Sequence, residues 1–211
     1  MIEHQEHVNR VLLESIKKQL FSLAKFMIEK KGADINADMN TLYAAVLNNN
    51  LEMIKFLVEN GFNINANENA LFMAVRNSNL EMANFLVERG FNINVHEYTL
   101  LRAVRNDNLE LAKFLVARGL NINASKNTLY KAVRNDNLEM VKFLLENGFN
   151  INARKDTLHW AIVNNNLETT KFLVASGANR EQIELALALA RELGKTEFIE
   201  YLNRSINNKK Q

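Results

Sequence analysis

Apolar and polar positions recur along this chain with a fixed spacing of 29 residues. From Thr128 it reads TLYKAVRNDNLEMVKFLLENGFNINARKD, and from Thr99 it reads TLLRAVRNDNLELAKFLVARGLNINASKN. The correspondence runs without gaps over residues 41–177, and Gly32, Gly61, Gly90, Gly119, Gly148 and Gly177 stand one period apart. Leu129, Ala132 and Val133 fall at i, i+3 and i+4, which predicts a first helix with one apolar stripe. Asn135-Asp136-Asn137 follows, and these residue types tolerate left-handed backbone and cap helices, so a tight turn is expected there. Asn137 is placed to cap a second helix, LEMVKFLLEN, with Glu139 in its positively polarised first turn. Gly148 supplies the left-handed residue that ends this helix, and Phe149 the apolar contact that follows. The segment NINARKD leads into the next unit. A period in this range is the mark of a stacked repeat array.

One unit has about eight apolar side chains, too few to offset the ordering of a whole repeat, so neighbours must stack and the two ends need polar-faced caps. Residues 1–36 are expected to form the N-terminal cap; LAKFMIEKKG fits the second-helix pattern there only with one extra residue. Residues 37–180 form five internal repeats. Residues 181–205 form the C-terminal cap, which keeps the period but loses the asparagine turn. Residues 206–211 are expected to fray, and the whole chain is read as one domain.

LEMIKFLVENGFNIN, LEMVKFLLENGFNIN and KKGADIN resemble the second half of the ankyrin repeat. In the first half, Thr-Leu-Tyr stands where that family has Thr-Pro-Leu-His. The family period is near 33, and the residues missing here come from the link between units, as in Ser125-Lys126-Asn127. The resemblance therefore implies an all-α solenoid of helix-turn-helix repeats with shortened or absent β-hairpin fingers. It also implies partner binding on a concave face built from the first helices and the tips between units.

Composition narrows the chemistry. The chain has 211 residues, a net charge of +2, no cysteine, no proline and 33 asparagines, which sit at fixed repeat positions rather than in a tract. Disulfides and thiolate chemistry are excluded, no apolar stretch is long enough to cross a membrane, and the expected location is the cytoplasm, including that of a host cell if the chain is a delivered effector. The near-zero charge hides a pattern. Ala44, Leu47 and Asn48 occupy first-helix positions outside the apolar stripe, as do Met73, Arg76 and Asn77; Arg102, Arg105 and Asn106; Lys131, Arg134 and Asn135; and Trp160, Val163 and Asn164. Five of these side chains are basic and none is acidic. The tips add His96, Tyr98, Lys126, Arg154 and Lys155 against Asp38, Glu68, Glu97 and Asp156, whereas Glu52, Glu81, Glu110, Glu139 and Glu168 lie on the second helices. Such segregation steers an acidic partner towards the first helices.

The candidate binding residues are Met73, Arg76, Tyr98, Arg102, Arg105, Lys131, Arg134 and Trp160, the last as an exposed anchor. His159 and the ring slot of Tyr43, Phe72, Leu101 and Tyr130 read as packing. His4 and His7 lack further metal ligands, and no phosphate loop or nucleophile–base pair is legible. The expected function is a non-catalytic module binding an acidic protein, as an inhibitor, neutraliser, adaptor or effector, without metal or cofactor. The alternative is nucleic acid or polyphosphate bound along the same arginines.

Overall fold

The computed structural model describes residues 2–208 and is all-helical over them, with no strand. Two compact units divide the chain, 1–99 and 100–211. The first contains α1 (Ile2–Lys17), α2 (Phe21–Glu29), α3 (Asn40–Leu47), α4 (Leu51–Glu59), α5 (Ala70–Arg76) and α6 (Leu80–Glu88). α7 (Thr99–Arg105) starts at the boundary. The second unit continues with α8 (Leu109–Ala117), α9 (Asn127–Arg134), α10 (Leu138–Glu146), α11 (His159–Val163), α12 (Leu167–Ala175), α13 (Arg180–Glu192) and α14 (Thr196–Asn208), with one 3-10 turn at Ile151–Ala153. These are seven helix pairs, and their links are turns rather than two-stranded fingers. Within the first unit, α1 packs on α3 and α3 on α5; within the second, α9 packs on α11 and α11 on α13, while α8 meets α10 and α12 meets α14.

The local rules hold at the expected residues. Leu129, Ala132 and Val133 are buried. Asp136 takes a φ of 58° between α9 and α10, and Asn137 Oδ1 accepts from Met140 N at 2.8 Å. At the end of α10, Gly148 adopts a φ of 88°. Its N–H donates to Leu145 O at 3.1 Å, and Phe149 N donates to Leu144 O at 2.9 Å. That pair of bonds is the Schellman closure, and the buried Phe149 ring completes it.

The ends use variations of the same devices. In the N-terminal repeat, Ala33 N reaches back six residues to Met27 O, where Phe62 N reaches back five to Leu57 O. The wider closure absorbs the extra residue seen in the sequence. In the C-terminal repeat, Gln182 is buried, shares a capping box with Asn179, and donates to both Ile151 O and Arg154 O. The last helix runs through Asn208, so the region expected to fray from 206 onwards is helical that far; residues 209–211 lie outside the described residues.

The asparagines form two ladders. An amide side chain offers a donor and an acceptor together, so it can pair with a backbone as another peptide would. Asn123 Nδ2 donates to Gly148 O at 3.0 Å while its Oδ1 accepts from Asn150 N at 2.7 Å. Asn36 and Asn152 repeat the arrangement against Gly61 and Asn63, and against Gly177 and Asn179. A second ladder runs from the ends of the first helices: Asn77 Nδ2 reaches Val46 O, Asn135 Nδ2 reaches Val104 O and Asn164 Nδ2 reaches Val133 O. These asparagines therefore tie repeats together.

Candidate functional site

In the second unit, the exposed Arg105 ends α7, and Lys131 and the exposed Arg134 lie three residues apart on α9. Their side chains line one cleft of about 340 Å3 together with Leu101, Asn127 and Tyr130. No carboxylate is ion-paired with any of the three cations among the described residues. Lys131 sits below the usual lysine pKa range. Partial burial is the main cause, the neighbouring Arg134 and Arg105 charges add to it, and Asp107 opposes it. Asp107 is itself engaged, accepting from Asn137 Nδ2 at 2.7 Å.

Trp160 is half-buried rather than the exposed anchor expected. Its Nε1 donates to Tyr130 Oη at 2.6 Å, and the Arg134 guanidinium lies over its ring at 4.9 Å. The preceding repeat thus engages the indole. Tyr130 is covered in turn by Arg154, 4.4 Å from its centroid. Arg154 contrasts with its cationic neighbours: it makes two bonds to Asp156, at 2.8 and 2.6 Å, and a third to Asn127 Oδ1 at 2.6 Å. The hydrogen bonds from Arg154 are also the main reason that the Asp156 carboxyl lies below its ordinary range. This arginine braces the tip. Its role was not legible because two of its partners, Asn127 and Tyr130, stand on α9 of the preceding repeat.

The first-helix positions split into two kinds. Met73 is buried at 3% exposure and Ala44 at 5%, so Met73 is withdrawn from the candidate surface. Its position lies at the seam where neighbouring first helices pack, as α3 does on α5. In the second unit the same position carries Arg102, Lys131 and Trp160, all half-buried. A long cationic side chain there buries its stem and keeps its charged end in water. The position three residues later is the exposed one, carrying Leu47 and Arg76 in the first unit and Arg105, Arg134 and Val163 in the second.

In the first unit, Arg76 Nη1 lies 3.9 Å from Met73 Sδ. Tyr98 is exposed, and a hydrogen bond to the Glu97 carboxylate raises the pKa of its hydroxyl. His96 stacks on Phe72 with ring centroids 4.2 Å apart, which accounts for an aromatic pair at this tip. Arg76 and Tyr98 thus belong to the first unit and the five remaining candidates to the second. Of those five, Arg105, Lys131 and Arg134 share the cleft, Trp160 adjoins it through Arg134, and Arg102 is not among its lining residues. His159, read as a core residue, is exposed and sits edge-on to Trp160.

The second helices are mixed in charge rather than acidic. Glu52, Glu81, Glu110, Glu139 and Glu168 are all exposed, but Lys55 pairs with Glu81 at 3.7 Å and Lys142 with Glu139 at 3.2 Å. In the sequence, four of these five acids have a lysine three residues on (Lys55, Lys113, Lys142 and Lys171), and Glu81 has Asn84 there. No described helix is long and apolar enough to cross a membrane.

A family model for ankyrin repeats, in three copies, matches residues 12–97 and 100–184. Among solved structures, the ankyrin repeat domain of human ASB11 is 26% identical, with a TM-score of 0.61, over 80% of this chain and 84% of that one. The ankyrin repeat domain of Bcl-3, described as a unique member of the IkappaB protein family, is 22% identical with a TM-score of 0.63, over 80% and 86%; that likeness concerns the fold. No curated protein matches the chain.

Proposed function

Because the chain belongs to the ankyrin repeat family, whose repeats generally serve protein–protein interaction, we propose that it is a non-catalytic binding module for an acidic protein. The partner-binding surface is the exposed, basic side of the first helices of the second unit, with Arg105, Lys131 and Arg134 at its centre and Arg102 and Trp160 beside them; in the first unit Arg76 and Tyr98 are the corresponding candidates. One observation carries this reading. Three cations line one cleft without an internal counter-ion, beside an arginine, Arg154, that has one. Unpaired positive charge held in place by the fold favours an acidic surface and discriminates against basic ones.

Trp160 and Tyr130 support a protein partner over nucleic acid. Base binding uses open aromatic faces, and here Arg134 covers one face of the indole and Arg154 one face of the phenol. The cytoplasm is the location in keeping with this role. The test is to recover proteins on the immobilised full chain and, in parallel, to titrate it with mixed DNA and RNA at low salt. A recovered acidic protein that binds directly supports the function. Nucleic-acid binding with a log–log salt slope near roughly −0.9 per phosphate, and no protein recovered, overturns it.

A further inference from the structure

Arg105, Lys131 and Arg134 do more than make a face basic: they converge. An acidic surface of spaced carboxylates calls for spaced cations, one per carboxylate. Here two guanidinium groups and an ammonium line the same cleft, close enough for both arginines to depress the ionisation of Lys131. A group with more than one negative charge at one point answers all three cations of the cleft at once. We propose that this cleft seats a phosphate monoester carried on a side chain of the partner protein, an inference that rests on the acidic-partner function and narrows it.

The chemistry of the lining fits. A phosphate monoester carries about −1.5 to −2 charges and three strong acceptor oxygens. Arginine presents a planar fork of donors that matches phosphate in pairs, and lysine adds a point charge. Arg134 is held over Trp160, and Trp160 is fixed by its bond to Tyr130, so less side-chain freedom is lost when Arg134 binds. Leu101 and Tyr130 supply an apolar wall for the carbon atoms that bear the phosphate. A phosphodiester fits less well, because it brings a single charge per phosphate and its strand must continue past the cleft.

Calorimetric titration of the full chain with blocked pentapeptides tests this. The central residue is phosphoserine or phosphotyrosine, with the unphosphorylated and glutamate versions and inorganic phosphate alongside. At least one phosphopeptide should bind roughly tenfold or more tighter than its glutamate version and than inorganic phosphate. Lys131→Met keeps most of the stem but removes the charge, and Arg105→Gln leaves the Trp160 contacts alone. Each should weaken the phosphopeptide by about fivefold or more while leaving the thermal midpoint in place. Equal binding of the glutamate version, still lost in both variants, overturns the phosphate seat and leaves the acidic-partner function standing. Equal binding of inorganic phosphate shows a plain anion site and overturns it too, as does no binding of either phosphopeptide. If, besides, a recovered partner binds both variants as it binds the native chain, the acidic-partner function fails as well.

Discussion

At the scale of single residues, asparagine and glycine set the repeat, and they do so by different physics. Gly148 is needed for its backbone alone: at a φ of 88°, an added Cβ would meet nothing within 4 Å. The penalty for a side chain there is the left-handed conformation itself, so Gly148→Val should destabilise the chain by about 1–2 kcal/mol. An unchanged denaturant midpoint would show that the conformation is not what selects glycine. Asn123 is needed for both ends of its amide. Asn123→Ala removes a donor from Gly148 O and an acceptor from Asn150 N. The site is exposed, so water takes over part of the bonding and the loss should be about 1–2 kcal/mol. The midpoint should fall without a change in m; no fall would mean that the ladder contributes nothing. The glycine was legible in the sequence because positive φ is a local property. The ladder was not, since each rung joins residues about one period apart, and periodicity alone does not say which way a side chain turns.

At the scale of elements, the second helices are the most self-consistent part of the chain, and their caps were legible from Asn-Leu-Glu alone. What the sequence did not disclose is that the cap residue works twice. Asn137 Oδ1 takes Met140 N, while its Nδ2 donates to Asp107 of the preceding repeat. Asn137→Ala should therefore cost about 1–2 kcal/mol, above the effect of a simple exposed cap at the low end of its range. The comparison to make is with Asn50→Ala, where the cap bond to Met53 N is made by the same residue type; equal losses would argue against the second role. Tip geometry has its own handle in Arg154 and Asp156. A carboxyl whose folded pKa lies below its unfolded value of about 3.9 stabilises the fold above that value. The contribution is lost as pH falls through the depressed folded pKa. Asp156→Asn should accordingly flatten the acid limb of the stability curve below roughly pH 4, with little slope change near neutrality. An acid limb identical to that of the native chain would mean that Arg154 does not hold this carboxylate in solution.

For the molecule as a whole, the repeat, its number of helix pairs and the loss of the β fingers followed from an exact period and a three-residue link. The proposed binding face was only half legible. Period and charge picked out Arg105 and Arg134, which are exposed, but Met73 was placed on the same face by counting i and i+3, and it is buried. Two positions three apart on a helix share a side of the cylinder without sharing its exposure once another helix packs beside one of them. The charge contrast between the two helix rows was likewise overstated. Four of the five acids, Glu139 among them, come with a lysine three residues on, and a position-by-position reading of the acids passes over it. What survives is the cluster of Arg105, Lys131 and Arg134, none of them ion-paired with a carboxylate among the described residues, which is proposed to hold the partner. The most direct measurement is the affinity of the recovered partner for Arg105→Glu with Arg134→Glu, set against Glu110→Lys with Glu139→Lys. Losing one desolvated charge contact costs about 2–5 kcal/mol and reversal adds repulsion, so the arginine pair should weaken binding by well over roughly a hundredfold while the glutamate pair changes it little. Binding that survives the arginine reversals and is lost with the glutamate reversals would place the interface on the second helices and contradict the account.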